Sequence, residues 1–317
     1  MERMSLHGLP ALKGLIMWAV ILMSLSAGAK NLEFLSLWNF DKPEDTEKVF
    51  MALLPDLSER GNADAHGVLL TQIARTHSLR GQFDEARGYL SQVKPLLSQE
   101  TALALTYYHL ELGRTYNSEG NKVDAQVEFK LALTNAVARE QEALAIDAVH
   151  MLAIAAVGTD DDLMWNLVGL KLAEAATEEK ARVWLGPLYN NIGWSYFDRG
   201  DYRTALSLFE KGVQFREEQE QRRPHQIARW TVARTYRAMG RYEEALRLQE
   251  ALLAELNIDG IEDGYVYEEL AELYLTIGQA GSDRYFGLAW KLLSEDKWLV
   301  DNERERIDRL KANAGGW

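Results

Sequence analysis

Residues 190–212 read NNIGWSYFDRGDYRTALSLFEKG, and four of these positions, Gly193, Tyr196, Gly200 and Ala205, return along the chain. Residues 70–90, LTQIARTHSLRGQFDEARGYL, place Ala74, His77, Gly81 and Ala86 at the same spacing. Residues 109–129 place Gly113, Tyr116, Gly120 and Ala125, and residues 229–249 place Ala233, Tyr236, Gly240 and Ala245. Ala271, Tyr274 and Gly278 repeat the first three positions, and a weaker copy leads with Ala153. The leading small residues at 74, 113, 153, 193, 233 and 271 are 39, 40, 40, 40 and 38 apart. Self-similarity at such a period marks supersecondary units stacked in a row.

The residue types say what each unit is. Apolar positions follow a helical period and break near the second glycine, so each unit reads as two antiparallel helices. The leading Gly or Ala lets the first helix approach the second. Ala205 and Ala245 are the matching small residues on the second helix. Tyr196 and Tyr236 fill the wider gap near the end of the first helix. Gly200 and Gly240 fall just past it, where a left-handed residue is wanted. Asp84, Asp124 and Asp201 lie at the start of the second helix, where a carboxylate suits the positive helix end.

This pattern resembles the tetratricopeptide repeat family. Leu112-Gly113-x-x-Tyr116, Ile192-Gly193-x-x-Tyr196, the glycine after the first helix and Ala205/Phe209 carry the likeness over roughly residues 66–295. The resemblance implies an all-α, right-handed superhelical solenoid of about six hairpins with capping helices at both ends. The usual unit of the family has 34 residues. The longer period here implies longer helices, as in arrays of bacterial regulators and sensors. Residues 30–65 read as an N-terminal cap, 66–295 as the array and 296–317 as a charged C-terminal cap and tail. Within the cap, Pro43–Arg60 reads as one helix that Pro55 should kink or split. The third hairpin is degenerate, with Trp165 in place of the second-helix alanine.

Composition narrows the function. The formal charge of −13 disfavours nucleic acid, which needs a basic face. With no cysteine, disulfides and thiolate metal sites are excluded. Residues 1–29 differ from the rest: Arg3 and Lys13, the apolar run Leu15–Leu25, then Ala27-Gly28-Ala29. This is the order of a secretory signal, with retention as an anchor through residues 14–29 as the alternative. It implies a periplasmic or secreted protein, or a membrane-anchored one; a start assigned too early would make it cytoplasmic.

There is no HExxH, no glycine-rich phosphate loop after a strand, no GxSxG elbow and no metal-spaced cluster. No enzyme, cofactor or metal is expected. In the resembling architecture the first helices line a concave groove. The inward positions are Thr71/Arg75, Leu110/Arg114, His150/Ile154, Asn190/Trp194, Trp230/Arg234 and Glu268/Glu272. Arg75, Arg114, His150, Asn190, Trp194, Trp230 and Arg234 are the candidate binding residues. Arginine forks suit carboxylates, and tryptophans offer contact area at low entropic cost, which points to another protein or an extended acidic peptide. The competing reading pairs these arginines with carboxylates on neighbouring helices. A sensor for a small anionic ligand or signalling peptide is the alternative function.

Overall fold

The computed structural model describes residues 32–59, 61–159 and 161–315. The signal or anchor reading of residues 1–29 lies outside them. Among the described residues the chain is all-α, and no helix is long and apolar enough to cross a membrane. Its contacts group into two compact units, one ending at Trp184 and the other beginning at Leu185.

The first unit opens with a 3-10 turn, Glu33–Leu37, and helix α1, Pro43–Glu59. Three hairpins follow: α2 (Ala63–Leu79) with α3 (Phe83–Val93), α4 (Ala102–Ser118) with α5 (Lys122–Ala138), and α6 (Glu142–Ala155) with α7 (Asp161–Ala175). A short α8, Glu179–Arg182, closes it. The second unit holds α9 (Leu185–Asp198) with α10 (Tyr202–Glu218), α11 (Arg222–Ala238) with α12 (Tyr242–Asp259), and α13 (Gly264–Ile277) with α14 (Ser282–Leu293). Helices α15 (Lys297–Asn302) and α16 (Arg304–Asn313) end it.

The six hairpins are those read from the repeat. Gly200 and Gly240 take φ of +79° and +76°, where a Cβ would be strained. Asp201 caps α10 by accepting from the Thr204 N–H. Asn121, and not Asp124, caps α5; Asp124 sits in the first turn. Of the kink or split expected at Pro55, the split does not occur, and α1 runs from Pro43 to Glu59 as one helix. Proline removes the bond to the Met51 carbonyl, but Met51 is exposed, so water can reach that turn.

Packing explains why size, more than residue identity, repeats. A Cβ on Gly113 would lie 2.7 Å from Phe129 Cδ1, and one on Gly193 would lie 2.7 Å from Phe209 Cδ1. Both rings are fully buried, and each burial contributes about 2–3 kcal/mol. Where the first helix carries Ala74, the ring is replaced by the smaller Leu90, and both are buried. In the third hairpin the sizes on the second helix swap. Trp165 takes the place of the alanine, and buried Gly169 takes the place of the phenylalanine. Trp165 packs onto the cluster around Phe129, Ala148 and Leu152. The third hairpin is therefore repacked and keeps its helices.

Candidate functional site

The candidate residues sit on first helices, one in each of the first three hairpins and two in each of the fourth and fifth, and the packing that fixes those helices also fixes them. In the first unit, Arg114 Nη2 donates to both carboxylate oxygens of Asp147 at 2.6 Å, and its Nη1 donates to Glu111 Oε1 at 2.6 Å. Arg75 Nη1 reaches the same Glu111 oxygen at 3.4 Å. The guanidinium of Arg75 also lies 5.7 Å from the Trp38 ring and 5.1 Å from the Phe40 ring. Arg75, Glu111, Arg114 and Asp147 thus form a ladder of alternating charge over α2, α4 and α6. Burial pushes the Asp147 carboxyl up, but Arg114 and Arg75 outweigh it and hold it below the usual range. Burial also lowers the Arg114 pKa, and Asp147 and Glu111 reverse the sign, so it lies above the ordinary value. Tyr107 beside them is pushed up to about 12, first by burial and then by Asp147.

His150, one turn after Asp147, is buried with its ring 5.1 Å from Trp184. Burial pulls its pKa down; Asp147 opposes this and Arg114 adds to it. It is a neutral core histidine. Its Nδ1 has no hydrogen bond among the described residues.

In the second unit, Trp194 on α9 and Trp230 on α11 lie with ring centroids 6.0 Å apart. The Arg234 guanidinium sits 5.8 Å from the first ring and 5.6 Å from the second. Trp230 Nε1 donates to the Tyr265 carbonyl at 3.1 Å. Arg234 Nη1 donates to Glu269 Oε1 at 2.6 Å, and Arg237 adds bonds of 2.6 and 2.8 Å to the same carboxylate. Glu269 is fully buried; burial raises its pKa, but Arg234 and Arg237 bring it below the ordinary value. Arg306 and Arg309 of α16 reach back to Glu268 and Glu272, so the terminal helix neutralises the last first-helix face. Asn190 is half-buried, and among the described residues its side chain hydrogen-bonds only to the neighbouring Asn191 amide, at 3.4 Å.

The structure brings Trp194, Trp230 and Arg234 together and places Arg75 and Arg114 on one carboxylate. Asn190 lies one turn before Trp194 on α9 and makes no hydrogen bond to either group among the described residues. All three arginines are ion-paired within their own unit, as in the competing reading of the sequence. The carboxylates that do this, Glu111, Asp147 and Glu269, were not singled out in the sequence. A signal was present: Glu111 and Glu269 each stand two residues before the leading small residue of their repeat. Among the described residues no cluster of histidine and carboxylate side chains could hold a metal.

Residues 188–218 and 231–254 match a family model described as tetratricopeptide repeat. No curated protein matches the sequence. Among solved structures, the apo form of RapI superposes with a TM-score of 0.70 at 13% identity, covering 90% of this chain and 84% of that one. A STAND-class signal-transduction ATPase with a tetratricopeptide repeat sensor from Pyrococcus horikoshii gives 0.68 at 15% identity and covers 88% of this chain. This chain spans 43% of the length of that ATPase. NprR in complex with its cognate peptide NprX gives 0.52 at 12% identity, covering 90% and 84%. These likenesses concern the fold. The matched segments are the fourth and fifth of six hairpins that share one period, and the hairpins have the tetratricopeptide repeat fold.

Proposed function

We propose that this chain is a non-catalytic scaffold that holds another protein or an extended peptide on its first-helix faces. The observation that carries this is a contrast within each repeat. The small residues, the ring behind them and the turn glycine recur because packing requires them. The pairs Thr71/Arg75, Leu110/Arg114, His150/Ile154, Asn190/Trp194, Trp230/Arg234 and Glu268/Glu272 do not recur. A constant frame carrying changing side chains is the arrangement that reads an extended partner residue by residue. That NprR with its cognate peptide shares the fold supports the reading.

An acidic partner would have to draw Arg75, Arg114 and Arg234 away from Glu111, Asp147 and Glu269. Weakening of binding by salt is the mark of that exchange. The leader-like residues 1–29 add export or membrane tethering to the proposal, and N-terminal sequencing of the native protein should then begin at Lys30 or show the anchor retained.

The test is affinity purification with the full chain as bait, followed by Asn190→Ala. Among the described residues the Asn190 side chain has no hydrogen bond beyond its neighbour, so the substitution should weaken capture of the partner and leave the Tm unchanged. A partner held equally well by the variant and by wild type would remove the first-helix face from the reading. A compound from a metabolite panel that raises the Tm, with no protein captured, would favour the sensor alternative.

A further inference from the structure

Arg216, in the last turn of α10, differs from the arginines of the ladders. It is half-buried, and its Nη1 donates to the side-chain oxygen of Gln221. Its other neighbour is the Phe215 ring, 5.9 Å away. Arg75, Arg114, Arg234, Arg237 and Arg306 each sit on a carboxylate. Arg216 has no carboxylate partner among the described residues. Partial burial of a cation without a counter-charge is unfavourable, because lost hydration is not replaced. A chain with 48 acidic residues has left this one uncompensated.

The surroundings suggest what completes it. The Nε and Nη2 atoms of Arg216 and the Nε2 of Gln221 make no hydrogen bond among the described residues and are not sealed from solvent. The guanidinium lies against Gly186, in the first turn of α9, where a Cβ would stand 2.6 Å from Nη2. Any side chain at 186 would displace the guanidinium, whose Nε–Nη2 edge carries no hydrogen bond among the described residues. That edge is the fork that takes a carboxylate or phosphate through two parallel bonds. The positive end of the 14-residue α9 lies beside it and favours the same sign of ligand.

We propose that Arg216 and Gln221, seated against Gly186 at the end of the α9–α10 hairpin, form a subsite for an oxyanion, a carboxylate or a phosphate group. Burial pulls the Arg216 pKa down with no opposing charge, yet it starts so high that the cation persists at neutral pH. The site does not depend on a protein partner and would stand if none were captured.

The experiment is thermal unfolding of the full chain in sodium phosphate and in sodium acetate, each against sodium chloride at equal ionic strength. A saturable rise in Tm beyond chloride is expected. A response to phosphate alone assigns a phosphate-bearing ligand; a response to acetate assigns a carboxylate. Arg216→Met should abolish the rise while keeping the wild-type Tm in chloride, and Gly186→Ala should diminish it. In a spectrum of ¹⁵N-labelled protein, the Arg216 Nε–H signal should move with the same saturation. Three results would overturn the subsite. One is no response beyond chloride. Another is a full response in Arg216→Met, which would leave only the helix end or an adventitious ion. The third is a fall in Tm on Arg216→Met in chloride, which would make the guanidinium structural.

Discussion

Hairpins four and five share the same spacing of repeat positions and are held in different ways. In the fourth, Gly193 admits the ring of Phe209, and the contact between α9 and α10 is apolar. In the fifth, Ala233 faces a position where Gln249 replaces the ring. Gln249 is fully buried, and neither of its amide atoms has a hydrogen bond among the described residues. The same hairpin carries Arg234 and Arg237, both on Glu269 of the next helix pair. The fourth hairpin is tied internally by shape; the fifth has a weaker internal fit and a stronger charged tie to its successor. One backbone plan therefore tolerates two distributions of stabilisation.

That comparison can be broken most directly at Glu269. Glu269→Leu leaves two partly buried guanidinium groups without their carboxylate and should cost about 3–5 kcal/mol, read from the urea midpoint. The same pair predicts a pH effect. The Glu269 carboxyl titrates below its usual 4.5 in the folded protein, so its stabilisation is complete above that value. It is lost as pH falls through the lower folded value. Wild-type Tm should decline below that range, and the decline should be shallower in Glu269→Leu. A steep decline that is unchanged in the variant would transfer the acid sensitivity to other carboxylates.

The apolar side of the comparison is tested at Gly193. Gly193→Ala should destabilise by about 1–3 kcal/mol, because the new methyl collides with Phe209. Phe209→Leu in the same chain should recover part of the loss, imitating the Ala74/Leu90 pair. No recovery would mean that the size rule does not govern this contact. In the fifth hairpin the sign reverses: Gln249→Leu should raise stability by about 1–2 kcal/mol by removing an unsatisfied buried amide. A fall in Tm would show that the amide has a partner that matters. The smallest effect belongs to the junction between the two hairpins, where Glu220 adopts φ of +52°. Glu220→Asn should stabilise by less than about 1 kcal/mol, since asparagine tolerates this conformation better.

The hairpins were legible because their signals are local and repeated. A small residue, an aromatic three later and a glycine seven later can be counted along one strand of text. The substitution at Trp165 was visible as an anomaly, but its resolution at Gly169 required knowing that both face the same gap. The candidate site was legible only in half. Arg75, Arg114 and Arg234 stood out because a basic residue at a recurring inward position is conspicuous in an acidic chain. Their partners were hidden because Glu111, Asp147 and Glu269 lie on the following first helix, 33 to 36 residues away, among many other carboxylates. Arg216 gave no signal at all in the sequence. What marks it is the lack of a neighbour, which only a folded chain can reveal.

The stitches between first helices give each array a fixed order. Arg75 needs the carboxylate supplied by the next hairpin along, and so do Arg114 and Arg234. Copies of a repeat joined by apolar contacts alone could be shuffled, duplicated or deleted with little penalty. Here a transposed unit would keep its helices and still strand charges on both sides of the new junction. Such an array behaves less like a string of identical beads than like a sentence, in which each word agrees with the one that follows.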